Sequence, residues 1–235
     1  MSKHLKRLAS PRRWSISKKT HKWTVKPSPG PHSVEHGIPV QLVVRDYLKY
    51  CDTGPEARRI IGSGLIHVDG KRIRDYKRPL GFMDVVTIPT TKENYRVLLD
   101  NRGKIRLIKI TKDEAKWKLA RIENKVTVRG GKIQLNFHDG RNLLIDKNKF
   151  KTGDVLKLEL PSQKILAEYT FEKGNTAMVI DGKHAGQIAP IFDYEVTRSS
   201  QPNIVHFKEF STVKDNVFVI GHDKPEITIP EASAI

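Results

Sequence analysis

The sequence lacks the features that mark exported and membrane proteins. It contains one cysteine, Cys51, so no disulfide can form within the chain. It has no long apolar run, and no apolar stretch follows the N-terminal cations as it would in a signal peptide. We therefore expect a cytoplasmic protein that is not inserted in a membrane.

Catalytic motifs are also missing. The histidines form neither an H-E-x-x-H motif nor a Cys/His pattern with metal-ligand spacing. Neither a G-x-x-x-x-G-K-[ST] phosphate loop nor a G-x-S-x-G elbow is present. Cys51 falls on the apolar face of a predicted helix, which favours a core position over a role as nucleophile. The sequence thus predicts that the protein is not an enzyme. We expect no metal site, no cofactor and no small-molecule substrate.

Positive charge is abundant and unevenly distributed. Lys and Arg total 43 against 26 acidic residues, a formal net charge of +17. Residues 1–34 carry nine basic residues and no acid, residues 35–160 a net charge of +11, and residues 161–235 a net charge of −3. A field of this sign attracts polyanions, which indicates nucleic-acid binding by the first two-thirds of the chain. The alternatives are binding to an anionic membrane surface and a protein that is merely soluble and basic.

Residues 1–37 are predicted to be a basic N-terminal extension. Four prolines and few large aliphatic residues leave it little apolar area to offset the entropy of ordering. Aromatic rings lie between its cations, and such rings can stack on bases. We expect the extension to be mobile in the free protein and ordered on RNA; the alternative is a disordered charged tail. The predicted RNA-binding residues are Lys3, Lys6, Arg7, Arg12, Arg13, Trp14, Lys18, Lys19, Lys22 and Trp23.

Residues 38–93 predict two short helices followed by a hairpin. Apolar residues at i, i+4, i+7, i+8 and i+11 define one face of the first helix. Thr53 and Glu56 form the T-x-x-E capping box of the second helix, and Asp69-Gly70 suits the turn of a tight hairpin. Basic residues cluster around these elements and predict RNA contact, with a solvated face as the alternative. They are Arg45, Lys49, Arg58, Arg59, Lys71, Arg72, Arg74, Lys77 and Arg78.

The rest of the chain is predicted to be mostly β-structure. Residues 94–168 contain strand-like apolar segments separated by Gly-containing turns, with a short helix at 111–119. Residues 169–235 contain further short strands around the loop 181–186. We expect the glycines of this loop to allow close approach to a partner, and Lys183 to contact an RNA phosphate.

Two motifs resemble known RNA-binding modules. The E-A-R-R-I-I run at 56–61 and the L-I-H-V-D-G-K run at 65–71 resemble the RNA-binding domain named after bacterial small-subunit ribosomal protein four. Residues 173–192 resemble the KOW motif of ribosomal proteins and NusG-type elongation factors, although Ala189 stands where a further glycine is usual. With H-L-K-R-L-A-S-P-R-R-W at 4–14, the whole chain resembles the archaeal and eukaryotic small-subunit ribosomal protein four family.

The resemblance implies a structural constituent of the small ribosomal subunit, with ribosomal RNA and neighbouring ribosomal proteins as partners. Whether the KOW domain meets RNA or protein stays open. The lack of a basic C-terminal tail favours an archaeal source. The alternatives are an RNA-modifying enzyme that grips its substrate with residues 38–88 and a transcription elongation factor built on the KOW motif. Neither accounts for the whole chain.

The expected fold is α+β and multidomain. Its four predicted segments are a basic N-terminal extension (1–37), a helix-helix-hairpin RNA-binding domain (38–93), a β-rich central domain (94–168) and an SH3-like β-barrel KOW domain with C-terminal strands (169–235).

Overall fold

The computed structural model describes residues 4–229. The chain divides into two compact units. The first contains the residues up to Leu98 together with Lys104–Lys116, and the second contains Leu99–Gly103 and the residues from Trp117 onward. The described residues are mostly β-structure, arranged in several sheets, with few helices. Within this part of the chain, no helix is long and apolar enough to cross a membrane.

The N-terminal extension packs within the first unit. Strands β1 (Leu5–Lys6) and β2 (Trp23–Thr24) pair antiparallel, and a 3-10 turn, Arg7–Ala9, follows β1. The Trp14 side chain is only 2% exposed, and its Nε1 donates to the Gly37 carbonyl oxygen at 2.9 Å. One buried indole thus supplies an apolar contact for the extension that the composition did not reveal. Mobility of the extension in the free protein stays a prediction.

His32 fixes the end of the extension to the rest of the first unit. Its Nε2 lies 2.9 Å from Asp84 Oδ2, and both side chains are buried. The imidazole covers Gly81, where an added Cβ would lie 2.3 Å from the ring. Asp84 Oδ2 also accepts a hydrogen bond from the Gly81 backbone N–H at 3.0 Å. A glycine at this position therefore provides the space that the contact requires.

Two short helices follow the extension. Helix α1 (Val40–Leu42) continues into a π-helical turn, Val43–Tyr47. Helix α2 (Gly54–Gly62) begins with the predicted capping box, which is confirmed. Glu56 N donates to Thr53 Oγ1 at 3.4 Å, and Thr53 N donates to Glu56 Oε2 at 3.3 Å. The helix buries its apolar face and leaves its two arginines exposed.

A five-stranded sheet is the main sheet of the first unit. In spatial order its strands are β5 (Lys71–Ile73), β4 (Ile66–Val68), β7 (Val85–Ile88), β8 (Glu93–Leu99) and β9 (Ile105–Lys109). A separate antiparallel pair consists of β3 (Ile38–Pro39) and β6 (Pro79–Leu80). The predicted hairpin turn between β4 and β5 has φ values of +50° at Asp69 and +74° at Gly70, as a primed turn requires.

The second unit contains a five-stranded antiparallel sheet with an apolar core. In spatial order its strands are β12 (Asn142–Ile145), β11 (Ile133–Phe137), β10 (Trp117–Thr127), β13 (Val155–Glu159) and β14 (Ile165–Tyr169). The predicted helix through Leu119 is wrong in part. Only Glu114–Lys116 turns as a 3-10 helix, and Trp117 already begins β10, which pairs with β13 from that residue onward.

The C-terminal part of the second unit forms two three-stranded sheets. One contains β16 (Ile188–Pro190), β15 (Thr176–Val179) and β20 (Val217–Gly221), and the other contains β17 (Asp193–Glu195), β18 (Ile204–His206) and β19 (Ser211–Val213). A 3-10 turn, Lys214–Asn216, precedes β20. Arg121 of β10 donates from Nη1 to the carbonyl oxygens of Asp215 and Val217, both at 2.7 Å. These bonds tie β20 to the central sheet of the same unit.

Candidate nucleic-acid interface

Basic residues from α2 and from the segment after β5 meet on one aromatic ring. The Arg58 guanidinium lies 5.6 Å from the centroid of the Tyr76 ring, and Lys77 Nζ lies 5.6 Å from the same centroid. Both distances are within the range of cation–π contacts. The fold therefore brings together two cations that the sequence placed in different elements. We call Arg58, Tyr76 and Lys77 the Tyr76 patch.

Three of the predicted arginines line a crevice of about 230 Å³, which we call the arginine crevice. Arg72, Arg74 and Arg78 line it together with one aspartate and with Pro29–Pro31 of the extension. The Arg72 side chain lies over Gly64, where an added Cβ would be 2.6 Å from its Cδ. Arg78 Nε is buried and has no hydrogen-bond partner among the described residues. Guanidinium groups placed in this way suit the oxygens of a phosphate.

A further crevice, of about 420 Å³, lies between the extension and the first helical segment. Arg7, Arg45 and Lys49 line it, and so do Asp46 and Asp52. Arg45 Nη2 lies 2.8 Å from Asp46 Oδ2, so its charge is partly neutralised within the chain. Because the charges are mixed here, this crevice suits a phosphate less well than the arginine crevice does.

The two tryptophans of the extension have different surroundings. Trp14 is buried, which contradicts the prediction that its ring stacks on RNA. Arg7 is buried as well, and its Nε donates to the Ser17 carbonyl oxygen, so this cation is not at the surface either. Trp23 is 50% exposed, with Lys22 Nζ 5.5 Å from its ring centroid. Trp23 therefore has the exposed ring and adjacent cation expected of a residue that stacks on a base.

The other predicted RNA contacts of the first unit fall into two groups by exposure. The exposed residues are Lys6, Arg12, Lys19, Lys22, Lys49, Arg58, Arg59, Lys71, Arg72 and Arg74. The half-buried residues are Arg13, Lys18, Arg45, Lys77 and Arg78. Lys3 lies outside the described residues. The fold thus keeps most of the predicted cations accessible to a partner.

The loop between β15 and β16 departs from its predicted role. Gly186 has a φ of +88°, and an added Cβ would lie 1.8 Å from the Asp100 carbonyl oxygen. The close approach that requires this glycine is therefore made to another loop of the same unit. The N–H groups of Gly182, Ala185 and Gly186 all donate hydrogen bonds within the chain. The side chain of Lys183 is exposed, and it is the part of this loop that suits a phosphate.

Besides Arg7, three further cations that contribute to the net charge of the chain are buried. Arg96 and Lys118 are fully buried, and Arg121 nearly so. Arg96 Nη2 donates to the Glu114 carbonyl oxygen at 2.8 Å, and burial lowers the pKa of Arg96 to about 10. Lys118 Nζ lies 2.6 Å from Asp139 Oδ2. These structural roles were not predicted from the sequence. The signal that could have revealed them is a cation flanked by apolar residues within a strand.

Glu93 connects two side chains, those of Tyr50 and Lys109, at the start of β8. The Tyr50 hydroxyl donates to Glu93 Oε2, and Lys109 Nζ donates to Oε1 at 3.0 Å. The hydrogen bond from Tyr50, and then that from Lys109, lowers the pKa of Glu93 to about 2. The carboxylate thereby holds the loop after the first helical segment against the start of β8.

Three segments of the chain match known protein families. Residues 39–86 match the S4 domain, and residues 1–35 match the RS4NT domain. Residues 91–165 match the ribosomal family S4e. These matches define the class as ribosomal proteins that carry an S4 domain.

Relatives that match over nearly their whole length carry the same family name. Small ribosomal subunit protein eS4 of Methanothermobacter thermautotrophicus is 50% identical over 233 residues, covering 97% of this chain and 96% of that protein. The protein of the same name from Archaeoglobus fulgidus is 46% identical over 233 residues, covering 96% of this chain and 97% of that protein. The crystal structure of 30S ribosomal protein S4e from Thermoplasma acidophilum matches with a TM-score of 0.71 at 41% identity, covering 80% of this chain and 96% of that chain. The chain belongs to the S4e family of ribosomal proteins, which confirms the predicted family.

Proposed function

We propose that this chain is a structural protein of the small ribosomal subunit and binds ribosomal RNA through its first unit. Ribosomal RNA is the main ligand in this proposal, neighbouring ribosomal proteins are further partners, and the cytoplasm is the location. The chain contributes no catalytic step. Its role is to hold RNA segments in place during assembly of the subunit and during translation.

The arginine crevice carries the proposal. It combines three arginines from the segment around β5 with Pro29–Pro31 of the extension, so the crevice forms only in the folded chain. Three guanidinium groups on one crevice supply several N–H donors, and a phosphate supplies acceptor oxygens for them. The Tyr76 patch and the exposed arginines of α2 extend the basic surface of the same unit.

The experiment is a binding titration of the full chain against small-subunit ribosomal RNA, with Arg72→Ala combined with Arg78→Ala as the variant. The affinity should fall by at least about 2 kcal/mol, because a hydrogen bond to a charged group contributes roughly 1.5–3 kcal/mol. Filter binding at one fixed salt concentration measures this change. Circular dichroism of the variant checks that it is folded.

A charge-matched control separates crevice geometry from net charge. Arg129 and Arg198 are exposed residues of the second unit, so Arg129→Ala with Arg198→Ala removes the same number of charges elsewhere. Equal losses of affinity in both double variants would show that only the total charge matters. If the unaltered chain binds small-subunit RNA no better than an unrelated RNA of equal length, the proposed function itself is refuted.

We also propose that strands β15 to β20 form an SH3-like barrel of the KOW type, and that functional segments begin at residues 38, 94 and 169. The two three-stranded sheets of this region supply the strand number that a small barrel needs. Amide hydrogen exchange of the full chain in rising denaturant tests the division. Each segment should lose protection as one cooperative unit, whereas common loss of protection across residues 94 and 169 would contradict the division.

A further inference from the structure

Two aromatic rings and a backbone carbonyl surround the ammonium group of Lys214 in the second unit. Lys214 Nζ lies 5.2 Å from the centroid of the Phe171 ring and 5.3 Å from that of the Tyr194 ring. The same Nζ donates to the Thr152 carbonyl oxygen at 3.3 Å. Phe171 comes just after β14, Tyr194 lies in β17, and Lys214 begins the 3-10 turn before β20. We call the two rings and the Thr152 carbonyl the Lys214 cage.

Other contacts fix the walls of the cage. The Phe171 and Tyr194 centroids are 5.4 Å apart at an interplanar angle of 80°, so the two rings meet edge to face. The Tyr194 hydroxyl accepts a hydrogen bond from Asn203 Nδ2 at 3.1 Å. The backbone N–H of Phe171 donates to Asp154 Oδ1 at 3.0 Å. The rings therefore form a corner that groups other than Lys214 hold in position.

The cage matches the charge of Lys214 better than its hydrogen-bonding capacity. An ammonium group has three N–H donors, yet Lys214 has one acceptor, the Thr152 carbonyl, and no carboxylate partner within residues 4–229. The side chain is half-buried, which limits the water that can supply further acceptors. Aromatic faces attract a cation, but they accept hydrogen bonds only weakly. Because methylation of a lysine keeps the charge and removes N–H donors, these surroundings suit a methylated amine.

The distances in the cage leave room for methyl groups. Lys157 Nζ lies 4.0 Å from the centroid of the Trp117 ring, so an ammonium group can approach a ring more closely than Lys214 does. Carbon atoms in van der Waals contact are about 3.5–4.0 Å apart, and an N–C bond adds roughly 1.5 Å. A methyl group between nitrogen and ring thus requires roughly 5–5.5 Å, which both rings of the cage satisfy. By comparison, one ring each lies beside Lys22, Lys77 and Lys149.

We propose that Lys214 is a modification site that carries two methyl groups. One methyl group packs against each ring, and the remaining N–H donates to the Thr152 carbonyl oxygen. The methyl donor is a sulfonium compound of the S-adenosylmethionine class. In each transfer the neutral amine attacks the methyl carbon, an N–C bond forms as the S–C bond breaks, and the sulfur keeps the electron pair as a thioether. One proton passes to solvent with each transfer, so the product is a dimethylammonium group of unchanged charge.

The modification stabilises the C-terminal part of the second unit. The methyl groups add apolar contact between the turn before β20 and two segments that are distant in the sequence, β17 and the chain just after β14. Because the rings cover the amine in the folded chain, the transfer precedes folding of this part. The inference does not depend on RNA binding, so its failure would leave the proposed function unaffected.

Mass spectrometry of the chain isolated from the cells that make it tests the modification. The peptide that contains Lys214 should be about 28 Da heavier than its sequence predicts, since two methyl groups replace two hydrogens. Lys208 is the internal control, because it is exposed and lies beside no ring of the described residues. Any other state of Lys214 overturns the inference, whether unmodified, acetylated, or carrying one or three methyl groups. Equal methylation of Lys208 overturns it as well, because the cage is then not what distinguishes the site.

Urea unfolding tests whether the methyl groups pack in the cage. The chain from its own cells is compared with the same chain from a host in which Lys214 stays unmodified. The unfolding equilibrium constant should be about tenfold larger without the methyl groups, since burial of each contributes roughly three- to fourfold. Phe171→Leu removes one ring, so the difference between the two sources should shrink in this variant.

Phe192→Leu is the matched control, because Phe192 is an exposed ring of the same unit outside the cage. It should leave the tenfold difference between the two sources intact. Equal stability of the modified and unmodified chains, or an equal effect of the two substitutions on the difference, overturns the inference. If Phe171→Leu does not fold, the comparison of the unaltered chain from the two sources still decides.

Discussion

Trp14 and Trp23 show that packing, more than residue type, decides what a side chain does. Both lie between cations in the extension, and both were expected to stack on bases. Trp14 instead fills a buried position and donates its indole N–H to the Gly37 carbonyl oxygen. Trp23 is half-exposed, beside Lys22. The two residues therefore allow structural and binding roles of the extension to be separated by mutation.

Trp14→Ala should destabilise the chain, and Trp23→Ala should not. Loss of a large buried aromatic side chain typically costs about 3–5 kcal/mol of unfolding free energy, whereas a surface substitution stays within about 0.5 kcal/mol. Trp23→Ala should instead weaken RNA binding by about 1–3 kcal/mol, the usual cost of one lost stacking ring. Urea unfolding and RNA titration of both variants measure these effects. Equal unfolding free energies for the two variants would contradict the packing of Trp14.

The Glu93 carboxylate should make stability depend on acidic pH. Its pKa falls from an ordinary value near 4.5 to about 2 in the folded chain, so its contribution is complete above pH 4.5 and disappears as the pH falls through 2. Tyr50→Phe removes the largest cause of this shift. The difference in unfolding free energy between the two proteins should be constant near neutral pH and shrink between pH 4.5 and 2.

Urea unfolding at several pH values measures that difference. Tyr95→Phe is the control, because the hydrogen bond with Tyr95 makes the smallest contribution to the lowered pKa of Glu93. A difference that stays constant down to pH 2 would show that Tyr50 acts by packing alone.

Helix α2 has one buried apolar face and one exposed basic face. Ala57 and Ile61 are buried, while Arg58 and Arg59 are exposed. Arg58→Ala with Arg59→Ala should weaken binding to ribosomal RNA by about 2–4 kcal/mol, because charge-assisted contacts are stronger than neutral ones. The unfolding free energy should change by less than about 0.5 kcal/mol for each exposed position. RNA titration and urea unfolding measure the two effects.

Thr53→Ala is the opposite control for the same helix. It removes the hydrogen bond that Glu56 N donates to Thr53 Oγ1, which should cost about 1 kcal/mol of stability, and it leaves both arginines in place. Binding at a temperature where this variant is folded should be close to that of the unaltered chain. If the arginine variant melts early and binds normally, the two faces of α2 are assigned the wrong way round.

The elements that could be predicted from the sequence depend on local interactions. The capping box of α2 and the Asp69-Gly70 turn each involve residues within a few positions of one another, and both are found. Strand β14 was not predicted, and Trp117 was placed in a helix, because the pairing of β10 with β13 joins residues far apart in the sequence. Long-range pairing leaves no signal in a short window.

The candidate interface, too, could be predicted from the sequence only in part. The cations of the first unit were identifiable from composition, but the arginine crevice exists only because Pro29–Pro31 packs near Arg78. Likewise, Gly186 was expected to approach a partner, whereas it approaches Asp100 of its own chain. A glycine in a turn indicates close approach, and the sequence does not say to what. The folded chain was needed to distinguish the two cases.

For the whole molecule, net charge overstates the charge that RNA can reach. Arg7, Arg96, Lys118 and Arg121 are buried, so they contribute little to phosphate contacts. Enough exposed cations stay on the first unit for nine or so contacts, which predict a slope of log affinity against log salt of roughly −6 to −8. Titrations of a ribosomal RNA fragment from low to moderate salt measure this slope. A value shallower than about −3 would contradict an interface dominated by phosphates.

The contact between His32 and Asp84 also has a consequence for the timing of synthesis. The most basic segment of the chain leaves the translating ribosome first, yet the residues that hold it are made later. At about 5–20 residues per second, the roughly 50 residues between His32 and Asp84 take several seconds to be synthesised. Throughout that interval the nascent extension carries nine cations and no acid up to residue 34. The nascent extension is therefore an unshielded polycation close to RNA until Asp84 is made and can hold His32.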